Sequence, residues 1–302
     1  MVDYDPHRWS DHFLDIRGSM VREILGRVAA CVLWSALVVF AHKKGFGVAI
    51  PSTLHSLVGL ALGLLLVFRT NASYDRFWEG RKLWGGMVNE SRNLIRASRS
   101  WFGAADAALL RRLALWTVAF PVASRQYLRG VGLDLAKELP ELPREEARAV
   151  SEAEHCVMAV AQRLTDCLTE AASRGLITDV ARASIDQNIT LLVDYHGGCE
   201  RIRKTPLPFA YVVHLRRALV LYCFTLPFAL VDTFGWTTVV DVLFVAYVFF
   251  GIEEIGVEIE GPFGFDDNDL PLEAICQTIR HNVYELAGLE VPQPREQISG
   301  AL

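Results

Sequence analysis

Three kinds of pattern are missing from this chain of 302 residues, and each absence excludes a class of protein. The six cysteines contain no CxxC pair and no short regular spacing, which argues against a disulfide framework or a zinc ribbon. GxSxG, HExxH and P-loop motifs are also missing. Apolar and polar residues alternate over no run long enough for a sheet. We therefore expect an all-α chain that is not an enzyme.

A basic N-terminal region is missing as well. The chain begins MVDYDPHRWSDHF, with acidic residues where a secretory signal would carry basic ones, so we expect no cleaved leader and insertion through internal segments. The composition is 52% hydrophobic with a mean hydropathy of +0.25, yet 22% of the residues are charged. This combination indicates a membrane protein with a large aqueous part.

Four segments approach the length and hydropathy of a membrane span, which needs about 20 mostly apolar residues. Each contains one charged residue, histidine or proline, so buried core helices of a soluble protein remain an alternative. The four predicted spans are residues 24–41, 52–68, 218–231 and 236–252.

The distribution of basic residues favours the membrane interpretation. Arginines precede the first span, and arginines and lysines follow the second span and precede the third, whereas the link VDTFGW between the last two spans has neither. The positive-inside rule then places both termini in the cytoplasm. We expect a helical cytosolic region of residues 69–215 and 253–302, within a single unit of residues 1–302.

One helical stripe in the second span stands out. Leu57, Leu60, Leu64 and Phe68 recur at spacings of three and four, on one face of a helix. The same helix can continue from Ser52 into a charged stretch, because it contains no proline and no glycine lies between Gly63 and Gly80. A symmetric ring of such helices would place an apolar constriction above a charged vestibule, the layout of a pore gated by dewetting. A chance pattern in a leucine-rich span is the alternative.

Two motifs connect this pattern to a known family. FRTNASYDRFWEGRKLWG, at 68–85, resembles the signature of bacterial bestrophin homologues, and EGPFGFDDNDLPL, at 260–272, resembles the cluster that follows the last membrane helix of bestrophins. The resemblance implies a homopentameric ion channel of the bacterial inner membrane. It also implies that Leu60, Leu64 and Phe68 form its neck, where relatives commonly carry isoleucine or phenylalanine at the first two positions.

The resemblance implies a second constriction at the cytosolic exit. By position it falls in LITDV, residues 176–180, with Ile177 or Val180 as the ring. Asp179 supplies a charge nearby.

The acidic cluster has two interpretations. By resemblance to the calcium-gated animal members, Glu258, Asp266 and Asp269 match a calcium clasp, so Asp266 and Asp269 are candidate metal ligands, although bacterial relatives are not expected to require calcium or another cofactor. Alternatively, Asn268 or Asp269 caps the following helix. An EF-hand is excluded, because no glycine stands at its sixth position.

A second candidate for metal binding is YHGGCER, residues 195–201. His196 and Cys199 have a spacing that a metal could use, but two ligands do not make a tetrahedral site. A helix bend at Gly197 and Gly198 is the preferred interpretation.

The charges leave selectivity open. Carboxylates along an aqueous pathway concentrate cations, and acids on the predicted cytosolic side favour a channel for monovalent cations. The basic run between Arg69 and Arg81 favours anions if it faces the pore, as in the chloride channels of animals. A non-conducting scaffold is the third possibility. The expected partners are other copies of the chain, lipid and monovalent ions, with no nucleic acid. The acids in question are Asp179, Glu253, Glu254, Asp266 and Asp269.

Overall fold

A computed structural model describes residues 18–290, and all regular structure in that range is helical, as predicted. The N-terminal stretch that bears on a leader lies outside the described residues. In chain order the helices are α1 (Val21–Lys43), α2 (Ser52–Ser98), α3 (Ala107–Arg129), α4 (Leu135–Glu138), α5 (Arg144–Ser151), α6 (Cys156–Ser173), α7 (Asp179–Lys204), α8 (Phe209–Phe234), α9 (Thr238–Glu258) and α10 (Leu272–Ala287).

Burial separates membrane candidates from a core helix. By length and hydropathy, α1, α2, α3 and the stretch containing α8 and α9 could all cross a bilayer. In α3, however, 78% of the most apolar window is buried inside the chain, compared with 28%, 17% and 22% in the other three. We therefore assign α3 to a protein core. The described chain offers four segments for the membrane, in α1, the first part of α2, α8 and α9.

The last two spans are longer than predicted. α8 begins directly after Pro208, which lacks the N–H that a preceding helix would need, and it ends at Phe234, before Gly235, where φ is +54°. The helix starts nine residues before the predicted span 218–231. The prediction began too late because Arg216 and Arg217 lower the local hydropathy, although they do not interrupt the helix.

Helix α2 is continuous over 47 residues and is therefore roughly 70 Å long. This is more than twice the hydrocarbon thickness of a bilayer, about 30 Å. The predicted continuation from the apolar span into the charged stretch is confirmed. Contacts divide the described chain into two compact units, residues 18–78 with 205–269 and residues 79–204 with 270–290. The single unit of residues 1–302 stays a prediction.

In the first unit, α1, α8 and α9 pack with the first part of α2 around an apolar core. Ile24, Leu62, Leu66, Leu219 and Phe250 are central to it and almost fully buried. Leu62 and Leu66 fix which face of α2 is turned toward its own chain.

A group of ion pairs lies at one end of this core. Arg69 is 1% exposed, and its Nη2 lies 3.5 Å from Glu260 and 3.9 Å from Glu253. Arg216 Nε donates to Glu253 at 2.8 Å. Arg27 Nη1 donates to Glu254 at 2.7 Å. Buried charges need such partners, since an unpaired one is strongly destabilising.

In the second unit, α3 is the central helix. Trp116 and Phe120 on this helix are fully buried, as is Trp84 on the second part of α2. Arg125 pairs with Glu138 at 2.9 Å, one of several ion pairs that surround the apolar interior.

Helix α7 continues without interruption through Gly197 and Gly198, from Asp179 to Lys204, and the bend at these glycines stays a prediction. A Cβ atom at Gly198 would lie 2.9 Å from the side chain of Leu83. Glycine at this position therefore allows two helices to approach closely.

Helix α2 offers a test of packing in the first unit. A Cβ atom at Gly59 would lie 2.6 Å from Tyr222 Oη, whereas nothing lies within 4 Å of one at Gly63. Alanine adds about 1 kcal/mol of helix propensity at either position, but overpacking destabilises by about 1–3 kcal/mol. We expect Gly59→Ala to lower the melting temperature in detergent relative to Gly63→Ala. The added substitution Tyr222→Phe should restore it, and equal melting temperatures without that substitution would contradict the packing.

Candidate functional site

The predicted neck residues share the uncovered face of α2. Leu60, Leu64 and Phe68 are 76%, 55% and 57% exposed, while Leu62 and Leu66 between them are buried. The alternation follows from the helical period, which places residues two apart on opposite sides. A stripe of large apolar side chains this exposed needs a covering of lipid, another copy of the chain, or the narrow part of a pore.

The same face continues past the apolar stripe into polar side chains. At 3.6 residues per turn, Asn71 and Asp75 follow Phe68 along one line of α2, and both are exposed. Asp75 is therefore the first ionisable group on this face beyond the stripe.

The two arginines nearest the stripe are held inside the first unit. Arg69 is buried among the carboxylates described above. Arg76 Nε donates to the carbonyl of Glu260 at 3.0 Å, and its Nη1 donates to the carbonyl of Thr205. In the next turns Arg81 and Lys82 are exposed, so only the later part of the basic run is open to solvent in the single chain.

The predicted row of acidic residues is likewise only partly exposed. Glu253 is buried in its ion pairs, and Asp269 is buried as well. Both were expected to act as cation-attracting groups, and this expectation is wrong within the single chain, because each carboxylate is committed to internal partners. Asp179 and Asp266 are exposed.

The acidic cluster after α9 is closed by hydrogen bonds among its own members. Asn268 Nδ2 donates to Glu258 Oε1 at 2.8 Å and to the carbonyl of Gly18 at 3.0 Å. Asp269 Oδ2 accepts the backbone N–H of Asp266 at 2.9 Å. An amide NH₂ group thus bridges the Glu258 carboxylate, a predicted clasp ligand, and the backbone carbonyl of Gly18.

Capping by Asn268 or Asp269 is wrong. α10 begins at Leu272 with Pro271 as its N-cap, and no side chain caps it. Glu273 in its first turn instead pairs with Arg129. The Asp269 carboxylate instead accepts the backbone N–H of Asp266 through Oδ2.

The two candidates for the exit constriction differ sharply. Ile177 is buried in the second unit, whereas Val180 is 81% exposed at the start of α7. A ring that lines a pathway needs an exposed side chain, so the geometry favours Val180 over Ile177. The Asp179 carboxylate beside it lies 3.6 Å from Arg182 Nε.

The histidine in YHGGCER, His196, lies close to two other potential metal ligands that the sequence did not indicate. His196, His155 and Glu200 bring one ligand atom each to within 4.8 Å of one another. Burial lowers the pKa of His196 to about 4, which keeps its imidazole neutral. Cys199 is not among the three residues of this cluster, and burial raises the pKa of its thiol well above the usual range. The spacing from His196 to Glu200 was the available signal in the sequence, whereas His155 is the N-cap residue of another helix, α6.

Taken together, these features define an integral membrane protein in which one long helix carries an apolar stripe in its membrane part and charges beyond it. Residues 1–285 match the sequence model of a protein family that is described as bacterial/fungal bestrophin protein. The chain belongs to this family.

Relatives and solved structures cover nearly the whole chain. A Nostoc protein named voltage-dependent anion channel-forming protein is 40% identical over 93% of this chain and 92% of its own length. An Escherichia coli protein that is also named voltage-dependent anion channel-forming protein is 31% identical over 95% of this chain and 94% of its own length. The crystal structure of a bacterial bestrophin homologue from Klebsiella pneumoniae matches with a TM-score of 0.83 and 31% identity, over 88% of this chain and 99% of that one.

The Asn268 bridge generates a prediction about calcium. Asn268→Asp would replace the amide by a third oxygen ligand beside Glu258 and the Gly18 carbonyl, where two carboxylates repel unless a cation joins them. We expect the variant to melt at a lower temperature than wild type in a chelator, and we expect calcium to raise its melting temperature and remove this difference. Wild type should melt at the same temperature with and without calcium. A calcium-stabilised wild type would contradict the bridging role of the amide.

Proposed function

We propose that the protein is a passive ion channel in which α2 helices from several copies surround a narrow apolar neck. The observation that carries this proposal is the uncovered stripe of Leu60, Leu64 and Phe68 on a helix whose other face is packed. A ring of such stripes narrows a pore and gates it by excluding water. The channel names of the relatives and membership of the bestrophin family support a channel rather than an enzyme.

The assembly we propose is a homopentamer, as the family resemblance implies. Identical copies around one axis would bring the stripes together and cover the remaining exposed apolar surface with lipid or neighbouring copies. We place it in the bacterial inner membrane with both termini and residues 69–215 in the cytoplasm, because the basic residues lie on that side. Val180 is the proposed ring at the cytosolic exit.

We propose that the channel favours monovalent cations. Asp75 is the first charge beyond the neck on the stripe's own face, while the guanidinium groups of Arg69 and Arg76 are held by internal acceptors. Carboxylate rings attract cations in channels. Anion conduction is the second candidate, because the relatives are named as anion channels and because Arg81 and Lys82 are exposed.

No bound cofactor is needed in this proposal. Glu258 Oε1 already accepts a hydrogen bond from the Asn268 amide, so this oxygen has a partner without a cation. This supports conduction without calcium.

Shortening the neck side chain should widen the pore. We expect Leu64→Ala to raise single-channel conductance in a planar bilayer several-fold, because a smaller ring admits water more easily. Leu37→Ala on α1 is the matched control, since Leu37 is 61% exposed and lies on another membrane helix. It should leave conductance unchanged. A Leu64→Ala current equal to that of wild type would return the stripe to a packing role.

Neutralising the first charge below the neck should reduce cation preference. We expect Asp75→Asn to shift the reversal potential in a potassium chloride gradient away from the potassium potential. Glu145→Gln removes an exposed carboxylate on α5 and should not shift it. An unchanged reversal potential in Asp75→Asn would contradict the selectivity proposal. The channel proposal would still stand as long as current flows.

A further inference from the structure

The cluster of His155, His196 and Glu200 lies in the second unit, at the start of α6 and on α7. His196 and Glu200 are four residues apart on α7 and therefore share one face of that helix. His155 is the residue that precedes α6, and its Nε2 lies 3.7 Å from Glu200 Oε1. Three groups of the types that bind transition metals thus converge from two helices.

His196 is the unusual member. Its side chain is 1% exposed, and neither ring nitrogen has a hydrogen-bond partner among the described residues. Its neighbours include the rings of His155, Tyr127 and Phe120. A buried polar group without a partner destabilises the fold by about 1–3 kcal/mol, so its presence calls for a ligand that supplies the missing interaction.

The other two members are positioned but able to adjust. The His155 ring stacks on Tyr127 with centroids 4.9 Å apart, and both His155 and Glu200 are partly exposed, which gives an ion access from solvent. Glu200 also accepts a hydrogen bond from Lys204 at 3.0 Å. The Lys204 ammonium group therefore occupies the Glu200 oxygen to which a metal ion would bind.

We propose that His155, His196 and Glu200 bind a zinc ion, with two imidazole nitrogens and one carboxylate oxygen as ligands and water in the fourth position. This ligand set is one that zinc accepts in tetrahedral sites. Calcium and magnesium prefer all-oxygen sites, so imidazole nitrogens disfavour them.

Binding requires small movements. Ligand atoms in a tetrahedral zinc site lie about 3.3 Å apart, given bonds of about 2.0–2.1 Å, so the present separations of up to 4.8 Å must shorten. The Lys204 ammonium has to leave Glu200. The His155 Nδ1 atom, which accepts the Met158 N–H at 3.4 Å, has to carry a proton instead. That hydrogen bond is long and therefore weak.

The bound ion would join α6 to α7. Since zinc would bind the folded protein through residues from both helices, it would raise the melting temperature with concentration, as any ligand of the native state does. The site is independent of ion conduction through the proposed neck, so either proposal can fail without the other.

The test is zinc binding to the purified full-length protein after removal of any affinity tag, measured by competition with a fluorescent zinc chelator. We expect one zinc ion per chain. His155→Asn and Glu200→Gln should each weaken binding at least tenfold. Asparagine retains an oxygen that can cap α6, so the first variant should remain folded. A tetrahedral absorption spectrum after cobalt substitution should be present in wild type and lost in both variants.

His281→Asn is the matched control. His281 and Glu285 have the same spacing on α10 and lie 3.9 Å apart, but they are exposed, and no third ligand joins them among the described residues. This variant should bind zinc as wild type does. Absence of stoichiometric zinc in wild type, or an unchanged affinity in His155→Asn, would overturn the proposal.

Discussion

The packing of one face of α2 against its own chain is the constraint on which the rest depends. Leu62, Leu66 and Arg69 are buried, and the helical period then leaves Leu60, Leu64 and Phe68 uncovered. A soluble monomer could not keep such a stripe in water. Its exposure in the single chain calls for a covering of lipid or of other copies, and the proposed pore follows from placing these stripes around one axis.

The same packing decides which charges are available to ions. The charge of Arg69 is used internally, because its guanidinium lies among Glu253 and Glu260 at the end of the core. If α2 were rotated about its axis so that Arg69 lay on the exposed face, an arginine would be the first charge after the proposed neck. Instead the exposed face continues to Asp75, which is the physical basis of the proposed cation preference. The relatives described above are named for anions, so the proposed selectivity departs from the names of the relatives.

Features set by local periodicity and hydropathy could be predicted from sequence. The four apolar helices, the unbroken α2 and the stripe at Leu60 are of this kind. Features that depend on contacts between distant segments could not. Burial of Glu253 depends on an arginine 184 residues earlier on α2, and burial of Ile177 on its place in the second unit. The metal-binding cluster needs His155, 41 residues before His196, and no spacing on either helix indicates that pairing.

The most direct test is the reversal potential of the purified wild-type protein in a planar bilayer with a potassium chloride gradient. If α2 lines a pathway with Asp75 as its first charge, current flows and reverses near the potassium equilibrium potential. Reversal near the chloride potential would contradict the cation preference and favour Arg81 and Lys82 as the charges that ions meet. The absence of any current would contradict the channel itself.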